Sequence, residues 1–220
     1  MATQLDLQEQ EQLDALKAFW KQYGNLITWT LVLLLGAYAG WNGWNYYQRG
    51  QAAKAGALFD ELDRSVQAGD ADRAGRVFND LKDRYGGTTF AAQGGLLAAR
   101  VQVDKAQLDN ARASLSWVST QSGDDALQSV ARLRLAGLLL QQGKPEEGLQ
   151  QLAITPAPGF EALFADRRGD LLMALGKKAE AKAAFDTAFR AMDPALDYRQ
   201  LIEAKLTALG AAPAASGAAR

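Results

Sequence analysis

The sequence predicts an all-α protein, in which a single membrane-spanning helix near the N-terminus is followed by an α-solenoid of repeated helix pairs. Three observations predict it. No charged residue occurs between Lys21 and Arg49. Small turn residues recur downstream at nearly constant spacing. β-Branched and aromatic runs are sparse, while Ala, Leu, Gln and Arg dominate, which favours helix over strand.

The apolar segment centres on Leu26-Ile27-Thr28-Trp29-Thr30-Leu31-Val32-Leu33-Leu34-Leu35. A helix rises about 1.5 Å per residue and about 20 residues cross a hydrocarbon core, so residues 23–48 suffice for a transmembrane helix. Trp20, Tyr23, Trp41, Trp44, Tyr46 and Tyr47 flank this stretch. Amphipathic rings favour the headgroup layer, so these six are the expected membrane-interface residues. Residues 1–22 form an N-terminal tail whose Leu13, Leu16, Trp20 and Tyr23 recur at helical spacing, the pattern of a short amphipathic lead-in lying against the bilayer. Ala37-Tyr38-Ala39 fits a signal-peptide cleavage site. Asp6, Glu9, Glu11 and Asp14 argue instead for an uncleaved anchor, because a signal peptide begins with a short basic stretch. Lys17 and Lys21 on one side balance Arg49, Lys54 and Arg64 on the other, so flanking charge leaves the orientation open.

Residues 49–209 read as about four helix pairs and a capping helix. The clearest unit has Gly169 and Leu172 on one helix, Gly176 at the turn, then Ala181, Phe185 and Ala188 on the second, with Pro194 beyond. Small residues where paired helices touch, an aromatic wedge and a helix-stopping proline make this the tetratricopeptide pattern. Earlier units align as Ala136, Leu139, Gly143, Gly148 and Leu152; Ala99, Ala106, Ala111, Leu115 and Val118; and Leu62, Gly69, Ala74, Phe78 and Leu81. The turn positions 69, 106, 143 and 176 lie 37, 37 and 33 residues apart, close to a tetratricopeptide period with loop insertions. Thr88 or Thr89, and Asp124, are expected N-caps between units. Leu196 to Leu209 is the expected capping helix, and 210–220 a disordered tail of small residues. Arg168-Gly169-Asp170 matches an adhesion tripeptide but falls within a helix at the helix-contact position, so it is a packing feature.

With 25 acidic and 24 basic side chains the net charge is −1, which gives no basis for nucleic-acid binding. The chain has no Cys and no His, so disulfides, thiolate metal sites, cysteine nucleophiles and imidazole acid–base chemistry are excluded. No enzyme activity, cofactor, metal or small-molecule substrate is expected. The remaining mode is partner binding on the concave face of the solenoid, lined by the first helix of each pair. The repeat register places Phe59, Asp63, Gln93, Leu96, Arg100, Leu133, Gln141, Asp166 and Asp170 near that face.

Leu16-Lys17-Ala18-Phe19-Trp20-Lys21-Gln22-Tyr23-Gly24 before the span and Gly40-Trp41-Asn42-Gly43-Trp44 at its close complete a specific combination. With Ala52-Ala53-Lys54-Ala55, Phe59, Arg168-Gly169-Asp170-Leu171-Leu172, Gly176 and Ala181, the chain resembles the YfgM family over roughly residues 10 to 209. These proteins are ancillary subunits of the bacterial SecYEG translocon. The resemblance implies an inner-membrane protein with a cytoplasmic N-terminus and a periplasmic repeat domain. It also implies association with SecYEG and the periplasmic chaperone PpiD, and help in passing on newly translocated client polypeptides. It carries over no catalytic residue. A regulatory adaptor that holds a signalling protein at the membrane is the alternative function.

Overall fold

The computed structural model describes residues 7–211, all helices and turns with no strand among them. The expected disordered tail lies outside the described residues except for Gly210 and Ala211. The helices are α1 (Leu7–Gln67), α2 (Ala71–Tyr85), α3 (Thr89–Asp104), α4 (Leu108–Gln121), α5 (Asp125–Gln141), α6 (Pro145–Gln151), α7 (Glu161–Ala174), α8 (Lys178–Ala191) and α9 (Tyr198–Ala208). The chain divides into two compact units between Gln51 and Ala52.

In the first unit, α1 is the one helix among the described residues long and apolar enough to cross a membrane. Leu33, Leu34, Leu35, Trp29 and Trp41 are all more than 60% exposed, which in water would be prohibitive for so contiguous an apolar surface. The two hydroxyls in the apolar stretch are satisfied locally. Thr28 Oγ1 donates to the Gly24 carbonyl and Thr30 Oγ1 to that of Leu26, both at 2.8 Å, so neither needs water. Tyr23 and Trp41 are 18 positions apart, which spans about 27 Å of helix and matches a hydrocarbon core of about 30 Å. The lead-in differs from expectation. Instead of a short separate helix, its residues belong to α1 together with the span. No proline interrupts them, and Gly24 is packed beneath the Trp20 indole, where an added Cβ would lie 3.1 Å from Nε1.

In the second unit, the helix pairs close through one turn geometry used four times. Gly69, Ala106, Gly143 and Gly176 all have positive φ, at 69°, 58°, 72° and 73°. The amide after each reaches back five residues: Asp70 to the Ser65 carbonyl (2.9 Å), Gln107 to Gln102 (2.7 Å), Lys144 to Leu139 (2.8 Å) and Lys177 to Leu172 (2.9 Å). This is the Schellman motif, which satisfies terminal helix carbonyls and needs a left-handed residue. Ala106 is the only non-glycine among the described residues in that conformation. An L-residue there pays about 1–2 kcal/mol of steric strain, offset in part by alanine's smaller chain entropy. Ala106→Gly is therefore expected to raise the thermal midpoint of the full chain in detergent, gaining about 0.5–1 kcal/mol in a denaturant titration.

Thr88 is the N-cap of α3, its hydroxyl accepting from the Ala91 amide at 3.3 Å, and Asp124 caps α5 by accepting from Ala126 and Leu127. The expected packing positions are buried in every unit, among them Leu62, Phe78, Leu115, Val118, Leu139, Leu152, Phe185 and Ala188. They fall into four clusters in chain order. Leu62, Phe78 and Leu81 anchor the first; Leu115, Leu135 and Leu139 the second; Ala136, Leu152, Phe164 and Leu171 are the third; Phe185, Ile202 and Leu206 anchor the fourth. Each fully buried Leu or Phe stabilises the fold by roughly 1.5–3 kcal/mol against exposure. The stack is thus a row of neighbouring cores, not one central core. The terminal helix expected over 196–209 is α9, which supplies Ile202 and Leu206 to the last cluster.

Candidate partner-binding groove

The first helices of successive pairs, α3, α5 and α7, together with Leu115 of α4, line an open cavity of about 270 Å³. Its apolar lining includes Ala99, Val103, Leu115, Leu133 and Leu138, and its polar lining Arg100, Asp104, Arg134, Gln141 and Arg167. Helical spacing explains the arrangement. Arg100 and Val103 are one turn apart on α3, as are Leu133, Gly137 and Gln141 on α5, so each helix turns one face to the cavity. Arg167 lies over Gly137, where an added Cβ would sit 3.6 Å from its guanidinium carbon.

Three of the nine expected groove residues, Arg100, Leu133 and Gln141, meet in this cavity. The others lie elsewhere. Gln93 is exposed on α3, and Asp63 is half-buried, accepting from Gln67 Nε2 at 2.7 Å. Phe59 packs on Phe90 with ring centroids 5.6 Å apart, against the first cluster. Leu96 must be corrected: it is 8% exposed and belongs to the second core cluster, because its side of α3 faces α4 and α5.

Asp166 also needs correction. It is 1% exposed, and its carboxylate accepts from Tyr198 Oη at 2.7 Å and from Lys205 Nζ at 2.8 and 3.0 Å. The same Nζ donates to Asp170 at 2.8 Å, and Arg167 stands 3.5 Å from Asp170 on its other side. Asp166 and Asp170 thus hold α9 onto α7, and the Asp166 carboxylate lies beneath the surface and outside the cavity. Burial, then the hydrogen bond to Asp166, then the charges of Asp166 and Asp170 hold the Tyr198 hydroxyl well above tyrosine's ordinary range, although over a third of the residue's surface is exposed. A tyrosine raised in the folded state stabilises fully below its unfolded value of about 10, and that contribution is lost as pH rises above it. Stability of the full chain is therefore expected to fall above pH about 10 more steeply than that of Tyr198→Phe, measured by denaturant midpoints across that window.

Arg134 and Arg167 were not among the expected groove residues, yet the sequence holds a signal for them. Arg100 and Arg134 are 34 positions apart and Arg134 and Arg167 are 33, one repeat each. Same-period arginines on consecutive first helices mark one face.

An apolar, lipid-compatible helix and a stack of helix pairs closed by repeated Schellman turns define a membrane-anchored helical-repeat protein. The tetratricopeptide repeat-like domain family matches residues 17–211. The chain is 30% identical over 192 residues to the Ancillary SecYEG translocon subunit of Escherichia coli, covering 86% of this chain and 91% of that protein. It is also 30% identical over 207 residues to the protein of that name from Neisseria gonorrhoeae (92% and 98%), and over 182 residues to that of Haemophilus influenzae (83% and 89%). The chain belongs to this family of ancillary SecYEG translocon subunits.

Proposed function

We propose that the chain is a non-enzymatic subunit of the Sec translocon that uses α1 as its membrane anchor and its repeat domain to hold partner proteins. The observation that carries this reading is the match over most of the chain to relatives named as translocon subunits, spanning the apolar helix and the repeats alike. The open groove on α3, α5 and α7 supports a binding role, since such a surface grips peptide segments. Absence of His and Cys from the sequence leaves little for acid–base or nucleophilic catalysis to use. In this reading the N-terminus is cytoplasmic and the repeat domain periplasmic. There it meets SecYEG, a PpiD-like chaperone and newly translocated clients, and assists handover.

In vivo photo-crosslinking from Gln93, Arg100 and Gln141, with protease accessibility in intact and permeabilised spheroplasts, tests this. Adducts to the translocon and a periplasmic chaperone, with the repeat domain cleaved already in intact spheroplasts, are the expected result. Adducts dominated by a response regulator, or a repeat domain protected until the inner membrane is breached, would replace it with the regulatory adaptor.

A further inference from the structure

We infer that the groove selects acidic segments: polypeptide stretches in which an aspartate or glutamate side chain lies next to an aliphatic one. This rests on the reading of the repeat domain as a partner-holding module and names the chemistry of what it holds.

The charge in the cavity is lopsided. Arg100, Arg134 and Arg167 line it from three successive repeats, against Asp104 alone. The whole sequence is nearly neutral, so this is a local concentration and not a reflection of composition. Their donors are largely uncommitted. Among the described residues Arg100 makes no ion pair, and Arg134 makes one hydrogen bond, 3.3 Å to the Leu96 carbonyl. Arg167 shares only a 3.5 Å ion pair with Asp170. Asp170 is itself held by Lys205 at 2.8 Å, so that pairing is divided.

A guanidinium offers a planar fork of donors suited to a carboxylate, and a bond between two charged groups is about twice as strong as a neutral one. Beside the arginines, the half-buried Val103 and Leu133 give an aliphatic neighbour somewhere to go. The volume of about 270 Å³ falls short of the roughly 300–1,000 Å³ that enclose a drug-sized ligand, which fits side chains presented by a chain lying along the groove. Among the described residues no aromatic ring lines the cavity to stack a base, which argues against single-stranded nucleic acid.

The test is fluorescence anisotropy with the full chain in neutral detergent micelles, empty micelles serving as blank. Three short dye-labelled peptides are compared: an end-blocked alternation of leucine and glutamate, its glutamine counterpart, and a leucine–alanine peptide with a free C-terminal carboxylate. The glutamate peptide is expected to bind at least about tenfold more tightly than the glutamine one, the worth of a single charged hydrogen bond, with a preference that shrinks as salt rises. Arg100→Gln with Arg167→Gln should abolish the preference while leaving the thermal midpoint near wild type; Arg134 is kept because it ties α5 to α3. Equal binding of the glutamate and glutamine peptides by wild type overturns the inference without any variant, so a double variant that fails to fold costs nothing. Binding of the C-terminal carboxylate peptide alone overturns it too, as does an unchanged preference in a folded double variant. Any of these outcomes alongside intact translocon crosslinking removes the acidic selectivity only. Peptide discrimination without translocon adducts removes the translocon assignment and leaves the groove chemistry standing.

Discussion

Gly169→Val is expected to unfold the last repeat at temperatures the wild-type chain withstands. A β-carbon on Gly169 would stand 2.4, 2.6 and 2.7 Å from three ring carbons of Phe185. Real contacts are about 3.5–4.0 Å, so something must move. The ring has no room to yield: Phe185 is 2% exposed and sits among Leu172, Ala181, Ile202 and Leu206. Overpacking of this kind costs about 1–3 kcal/mol for a single methyl, and valine adds two more carbons and helix-disfavouring branching. Gly169→Ala should therefore lower the midpoint clearly and Gly169→Val more, read by circular dichroism melts of the full chain in detergent. Phe185→Leu placed on Gly169→Ala should recover part of the loss by vacating ring volume. Gly137→Ala is the control, since its new carbon meets only the flexible Arg167 guanidinium at 3.6 Å, and it should be near neutral. If both alanine variants melted alike, the close approach of α7 and α8 would not explain Gly169.

Lys205→Met is expected to be worse than Asp166→Asn, although the two residues are partners. Removing Lys205 leaves Asp166, 2% exposed at its side chain, with the Tyr198 hydroxyl and, among the described residues, no cation within ion-pair distance. Stranding a buried charge in this way costs about 3–5 kcal/mol. Removing the Asp166 charge instead leaves Lys205 with Asp170 at 2.8 Å, where it is still paired and partly solvated. Adding Asp166→Asn to Lys205→Met should thus restore stability, a coupling that a double-mutant cycle by urea denaturation would read directly. A cycle showing simple additivity would mean that the Asp166–Lys205 contact is incidental to how α9 is held.

The parts of this fold legible in the sequence are those with local causes. A left-handed turn residue demands glycine, so Gly69, Gly143 and Gly176 announce three turns, and Ala106 is found only because it keeps their spacing. Small and aromatic packing residues follow from the same register. Asp166 sits in the core where repeat register puts it in the groove, because its partners lie 32 and 39 residues away on a helix whose docking face periodicity does not reveal. Leu96 shares a face of α3 with Arg100 one turn later, and periodicity cannot tell them apart: residues of α4 and α5 cover that face at Leu96 and leave it open at Arg100. Arg134 sits beside Leu133, and Arg167 beside Asp166. In each pair, contact with the neighbouring repeat decides which residue faces outward, and the repeat register alone does not carry that information.

The third of the four cores is the smallest. Only Ala136, Leu152, Phe164 and Leu171 are buried in it, α6 contributes just seven residues, and a loop containing Pro156 and Pro158 leads on to α7. A row of cores separates first at its thinnest link, so α7, α8 and α9 are expected to open as one cooperative block while the preceding helices stay folded. Amide hydrogen exchange should show that block opening as one, with a shared free energy below that of α3 and α4. Since Arg167 rides on the block and Arg100 and Arg134 do not, each such opening would take the groove apart: the rate at which a bound segment escapes would be governed by the breathing of a weak joint and not by the strength of its own contacts.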